Sequence, residues 1–152
     1  MGVAMFYQLK GQPLVTTLRM LVEKSLSAGW NVSVRGTERA GLEALDVALW
    51  QGAEDSFLPH GVEGGDHDAG QPVLLGLSAA NVNDAQCVMA VHSAEVSAAD
   101  VAAMERVCIL FDGYDEEALA HARGQWKALV AEGVSAQYWA NEDGRWEKKA
   151  EA

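Results

Sequence analysis

Val107-Cys108-Ile109-Leu110-Phe111, followed by Asp112-Gly113-Tyr114 and then by Asp115-Glu116-Glu117, is the stretch on which the architecture turns. A short apolar run closed by a turn describes a strand buried on both faces, because a strand with one wet face would alternate. The acidic trio sits where the positive end of a helix dipole favours negative charge, and the helix it opens is predicted to run to about Glu132, where Gly133 stops it. A buried strand feeding a helix through a tight turn is half of a strand-helix-strand unit.

The same alternation recurs on either side. Val3 to Leu9 is a compact apolar strand closed by Lys10-Gly11. Pro13 suits a first helical turn, and Leu14, Leu18, Leu21, Val22 and Leu26 recur at helical spacing before Gly29 ends the element. Trp30 to Arg35 alternates as a second strand. Thr37 is placed to cap a second helix whose stripe is Ala40, Leu42, Leu45, Leu49 and Trp50. Pro72 to Leu77 and Gln86 to His92 are further strands, and Ser97 with Asp100 approximates a capping box for a short helix to about Met104. Gln137 to Ala140, turning at Asp143-Gly144 and returning through Trp146, reads as a final strand or hairpin.

Strands alternating with helices predict an α/β fold: a single three-layer sandwich domain over residues 1–152 with a largely parallel sheet. Gly61, Gly64, Gly65 and Gly70 among acidic residues predict a mobile, exposed loop at about 61–71, and residues 147–152 read as a short C-terminal tail.

Charge is uneven along the chain. Lys and Arg number 11 against 22 Asp and Glu, and the whole net charge of −11 lies in residues 1–117, the last 35 residues being balanced. An acidic body opposes a phosphate backbone, so any contact with DNA is expected to be indirect, and an anion should dock near the C-terminal third. No apolar run approaches the ~20 residues of a membrane span, and Met1 to Met5 lacks the features of a secretory signal, which predicts a cytoplasmic protein. Cys87 and Cys108 lie in strand-like apolar runs, where a reduced thiol acts as a small hydrophobe.

Catalytic signatures are sparse. A phosphate-binding turn between the first strand and helix needs several glycines, whereas Lys10-Gly11-Gln12-Pro13 has one followed by proline, so the nucleotide-binding pattern lacks its phosphate loop and no cofactor is expected. A degenerate nucleotide-binding domain is the weaker form of that reading. His60, Glu63, Asp66, His67 and Asp68 invite an alternative, a small metal-dependent hydrolase using the His60 to Asp68 loop. The glycines between these candidate ligands argue against a fixed metal site. His92 and His121 have no nucleophile or orienting acid at recognisable spacing.

The late helix is more suggestive. Leu119, Arg123, Trp126 and Val130 follow at three- or four-residue steps, with Lys127 one turn beyond Arg123, so one face mixes apolar and cationic groups. Two cations beside an indole suit a short acidic peptide with an apolar end and a free carboxylate. Pattern alone favours the plainer arrangement, with Trp126 as core and both cations solvated.

Four short motifs, in order, carry a resemblance: Phe6-Tyr7-x-Leu9, Leu45-Asp46-x-Ala48-Leu49-Trp50, Ser56-Phe57-x-Pro59-His60, and Ala122-Arg123-Gly124-Gln125-Trp126-Lys127. Together they resemble the chi subunit of bacterial DNA polymerase III holoenzyme, from Met5 to about Trp146. The resemblance implies a mononucleotide-binding-like fold without catalysis, and a replication role. It implies a pocket for the acidic tail of single-stranded-DNA-binding protein, ending in Pro-Phe, with Trp50, Phe57, Arg123, Trp126 and Lys127 as contacts. It also implies a second partner, the psi subunit, linking to the clamp loader where psi is present; Tyr138, Trp139 and Trp146 are a candidate surface for it. Two departures stand out: Trp126 replaces a tyrosine, and Leu119 replaces a basic residue.

Overall fold

The computed structural model describes residues 2–51, 60–77 and 80–152. In chain order the elements are β1 (Val3–Leu9), α1 (Leu14–Ser27), β2 (Val32–Arg35), α2 (Arg39–Trp50), β3 (Gly61–Val62), β4 (Val73–Gly76), β5 (Cys87–Ala90), α3 (Ala98–Ala103), β6 (Arg106–Asp112), α4 (Glu116–Ala131), β7 (Ala136–Glu142) and β8 (Arg145–Glu151). The strands form one eight-stranded sheet in the order β3-β4-β2-β5-β6-β1-β7-β8. Every neighbouring pair is parallel except β7 with β8.

β1 and β6 lie side by side in the middle of the sheet and explain its two cores. Met5, Tyr7, Cys108 and Leu110 project to one face, where Leu18, Leu21 and Val22 of α1 and Leu42, Leu45 and Leu49 of α2 cover them. Ala4, Phe6, Val107, Ile109 and Phe111 project to the other, under Val101 of α3 and Ala122 and Leu129 of α4. Side chains alternate between faces along a strand, so strands this apolar need a helical layer on each side. The three-layer α/β sandwich with a largely parallel sheet follows. Among the described residues, no helix is long and apolar enough to cross a membrane.

Capping follows the expected chemistry at two helices. Ser97 and Asp100 complete a capping box on α3, and Asp115 Oδ1 accepts from the backbone N–H groups of Glu117 and Ala118 at the start of α4. Gly133, at φ +83°, takes the left-handed conformation just past α4.

Three local expectations are corrected. Thr37 does not cap α2; Glu38 holds that position, and the Thr37 hydroxyl instead donates to the His92 carbonyl oxygen at 3.0 Å, tying the helix entry to the chain leaving β5. The stretch 61–71, expected as a mobile, exposed loop, contains regular structure. It supplies β3 and a 3₁₀ turn at Asp68–Gly70, secured where Asp68 accepts from the N–H groups of Gly64 and Gly65 at 2.8 and 3.0 Å. Residues 147–151 are not a tail but most of β8, paired antiparallel with β7. Its alternating charges, Glu147, Lys148, Lys149 and Glu151, left no hydrophobic period to read, because an edge strand exposed on most of its length needs none.

Candidate functional site

α4 packs over β6 and β7, and its Trp126 reaches Phe6 of β1. Trp126 packs on fully buried Phe6 at a centroid distance of 5.3 Å and on Tyr138 of β7 at 5.9 Å, both edge to face. Tyr138 stacks on Phe6 at 6.3 Å and donates its hydroxyl to Gln8 Oε1 at 2.6 Å. These rings lock one another in place.

Beside them opens a cleft of about 400 Å³ lined by Gln8, Arg123, Trp126, Lys127, Tyr138 and Ala150. Its floor is aromatic, and its helical wall carries two exposed cations. Ala150 of β8 pairs with Tyr138 across the strands, and its methyl group leaves the edge of the cleft open. Burial pushes the Tyr138 phenol pKa up, while the nearby Arg123 charge pulls it down. The phenol therefore stays a neutral hydrogen-bonding group.

Lys10, Arg35, Arg39, Lys148 and Lys149 each meet a carboxylate within 3.4 Å. Among the described residues, Arg123 and Lys127 are without a carboxylate partner, as are Lys24, Arg106 and Arg145, although the chain has twice as many acids as bases.

The five residues expected to share one pocket do not. Arg123, Trp126 and Lys127 come together, but Trp50 ends α2 in the opposite helical layer. α2 packs over β3 and β4, and from β4 to β1 is four strand spacings, or about 20 Å at the usual separation. Phe57 lies outside the described residues. Trp50 is 53% exposed and sits 4.4 Å from the buried His60 ring, whose Nε2 is 3.2 Å from both the carbonyl oxygen and Oδ1 of Asp46. His60 thus braces the end of α2. Sequence motifs name residues that matter together in a family, but they do not say on which face of the sheet each one falls.

Gln8 and Tyr138 were missed as lining residues. A signal for Gln8 existed, since it is the one polar side chain in the otherwise apolar run Val3 to Leu9 apart from the Tyr7 hydroxyl. Tyr138 had been grouped with Trp139 and Trp146; those two instead pack at the margin of the α1/α2 core, Trp146 edge to face with Tyr7 at 5.4 Å. Leu119 is partly buried against the α3/α4 core.

The metal alternative required His60, Glu63, His67 and Asp68 to converge. They are engaged separately: Glu63 Oε2 accepts from the Leu77 N–H at 2.7 Å, Asp68 accepts from the Gly64 and Gly65 N–H groups, and the His60 ring lies tilted against Trp50. Among the described residues, no three His, Cys, Asp or Glu side chains are placed to hold a metal ion. Cys87 and Cys108 are buried, unoxidised neighbours on β5 and β6.

Comparison with known families matches residues 1–137 to the family described as DNA polymerase III chi subunit, HolC. The matched span takes in Arg123, Trp126 and Lys127 and stops one residue before Tyr138. No match is found among curated proteins. With the family covering most of its length, the chain belongs to the DNA polymerase III chi subunit family, accessory components of the replicative polymerase.

Proposed function

We propose that this chain is a non-catalytic, cytoplasmic adaptor whose α4 cleft holds the acidic C-terminal tail of single-stranded-DNA-binding protein and so links the coated strand to the clamp-loader assembly. The observation that carries this reading is the pair Arg123 and Lys127, without carboxylate partners among the described residues, beside an aromatic-floored cleft.

The chemistry divides the ligand in two. Burying an apolar terminal side chain against Trp126 and Tyr138 contributes about 1.5–3 kcal/mol. A carboxylate held by Arg123 contributes a similar amount, because charge-assisted hydrogen bonds are worth about 1.5–3 kcal/mol. Neither half alone overcomes the cost of immobilising a flexible peptide, so an acidic tail with an apolar end is the fitting class of ligand. Many weak tail contacts along a coated strand then add avidity without new interfaces.

An adaptor also needs a second face. Val47 and Trp50, 53% exposed each and three residues apart on α2, form an apolar patch in the other helical layer and are proposed to contact psi where that subunit is present.

The test is calorimetry with an acidic peptide ending in Pro-Phe, alongside a pull-down of intact single-strand-binding protein and of a form lacking its last few residues. Binding that needs those residues and is lost in Arg123→Ala supports the reading; equal capture of both forms overturns it.

A further inference from the structure

A second cavity, of about 510 Å³, is distinct from the α4 cleft and shares none of its lining residues. It opens where β1 and β6 end side by side. The chain leaving β1 turns to α1 on one face of the sheet, and the chain leaving β6 turns to α4 on the other, so the two loops diverge. Crevices at such a divergence are where doubly wound sheets hold ligands, commonly anionic phosphates.

Here the sign of the charge is reversed. The walls are apolar, with Leu9, Leu14, Leu110 and Phe111, and the fixed charges of the lining are Asp112 and Asp115. Asp112 Oδ1 accepts from the Tyr114 N–H at 2.9 Å, and Asp115 Oδ1 accepts from Glu117 and Ala118 at 3.0 and 3.2 Å. Both hydrogen-bond sets use only Oδ1, so neither occupies the second carboxylate oxygen. Among the described residues, neither carboxylate forms an ion pair.

No lysine or arginine lines the cavity to cancel that charge. Gln12 is already engaged, accepting from the Lys10 N–H and donating to Asn141 Oδ1. His92 adds no positive charge at neutral pH, because burial holds its pKa below the ordinary imidazole value against the opposing pull of Glu38. Tyr114, 70% exposed, lies beside the lining residue Gly11, with a ring carbon 3.5 Å from where a β-carbon on Gly11 would lie. An exposed phenol ring beside two carboxylates is a site for a cation over its face. The wall formed by His92 and Ser93 is held at φ +53° and +62°, consecutive left-handed conformations that non-glycine residues seldom adopt.

We propose that this cavity binds an organic cation, an ammonium or guanidinium group on an apolar stem, with Asp112 and Asp115 taking the charge and Leu9, Leu110 and Phe111 the stem. A free amine and a lysine or arginine side chain of a partner protein offer the same chemistry.

Amide NMR titration separates these sources, using agmatine as the free cation and acetyl-Gly-Arg-Gly-amide as the peptide form. Saturable shifts at Gly11, Ser93 and Gly113 are expected, and the tighter probe identifies the source. Asp112→Asn combined with Asp115→Asn keeps both backbone acceptors, asparagine being as good a helix cap as aspartate, so the fold should be retained. That double variant is expected to weaken binding at least tenfold without lowering the melting temperature, whereas Arg123→Ala leaves it unchanged. Shifts that are non-saturating and scattered over the acidic surface, insensitivity to the double variant, or inorganic phosphate binding at the same amides would overturn the proposal.

Discussion

Trp126 is at once part of a core and part of a cleft wall. Its ring contacts with Phe6 and Tyr138 make it part of the α3/α4 core, while its remaining edge lines the cleft beside Arg123. Substituting it confounds stability with binding. Arg123 is the cleaner probe because its side chain is exposed and forms no ion pair among the described residues. Arg123→Ala is expected to weaken an acidic-tail peptide by more than about tenfold, the loss of one charge-assisted contact, with the melting temperature unchanged within about 1 °C. Asp100 illustrates the opposite kind of residue. Burial, the largest single influence, pushes its pKa up, but hydrogen bonds from Arg35 at 2.9 Å and from the Ser97 backbone outweigh it and hold it below the usual carboxylate value. A carboxyl whose pKa is depressed by folding stabilises the fold above its unfolded pKa, near 3.9, and loses that contribution as pH falls through the lower folded value. Asp100→Ala should therefore cost about 2–3 kcal/mol in urea unfolding at pH 7, less than for a fully buried pair, because it leaves the Arg35 guanidinium buried with only the Glu95 carbonyl oxygen. The difference from wild type should narrow below about pH 4.

β8 is the element whose role changed most between sequence and structure. Its charged run has no hydrophobic period, yet pairing with β7 brings Ala150 opposite Tyr138 and makes the last strand one rim of the cleft. Ala150→Phe should fill that rim. Peptide binding measured by calorimetry is expected to fall by more than tenfold while stability changes by less than about 0.5 kcal/mol, since Ala150 is exposed on an edge strand. α4 contributes through its ends as well as its face. Asp115→Ala removes the acceptor for two N–H groups and should lower stability by about 1 kcal/mol, or roughly 3 °C in melting temperature, whereas Asp115→Asn should not.

For the whole molecule, the two helical layers separate the two surfaces that the proposed adaptor role uses. The α4 cleft and the Val47/Trp50 patch lie on opposite faces of the sheet, so tail peptide and a partner bound at α2 should occupy the protein together. Preloading with psi is expected to leave peptide affinity unchanged within a factor of two; competition would contradict two separate surfaces. Two exposed cations on an acidic body also predict a salt effect, with affinity falling several-fold between 50 mM and 500 mM salt as the Debye length shrinks. Much of this architecture was readable from local chemistry. Apolar runs such as Val3 to Leu9 and Val107 to Phe111 demand burial on both faces, the acidic trio at 115–117 marks a helix start, and Gly133 its end, because these preferences act over a few residues. Helical spacing likewise grouped Arg123, Trp126 and Lys127. Spacing could not say that Trp50 faces away from them, that Gln8, Tyr138 and Ala150 complete the cleft, or that β1 sits between β6 and β7. Those facts depend on strand order and on which side of the sheet each crossover packs, contacts between residues more than a hundred positions apart that no local pattern encodes.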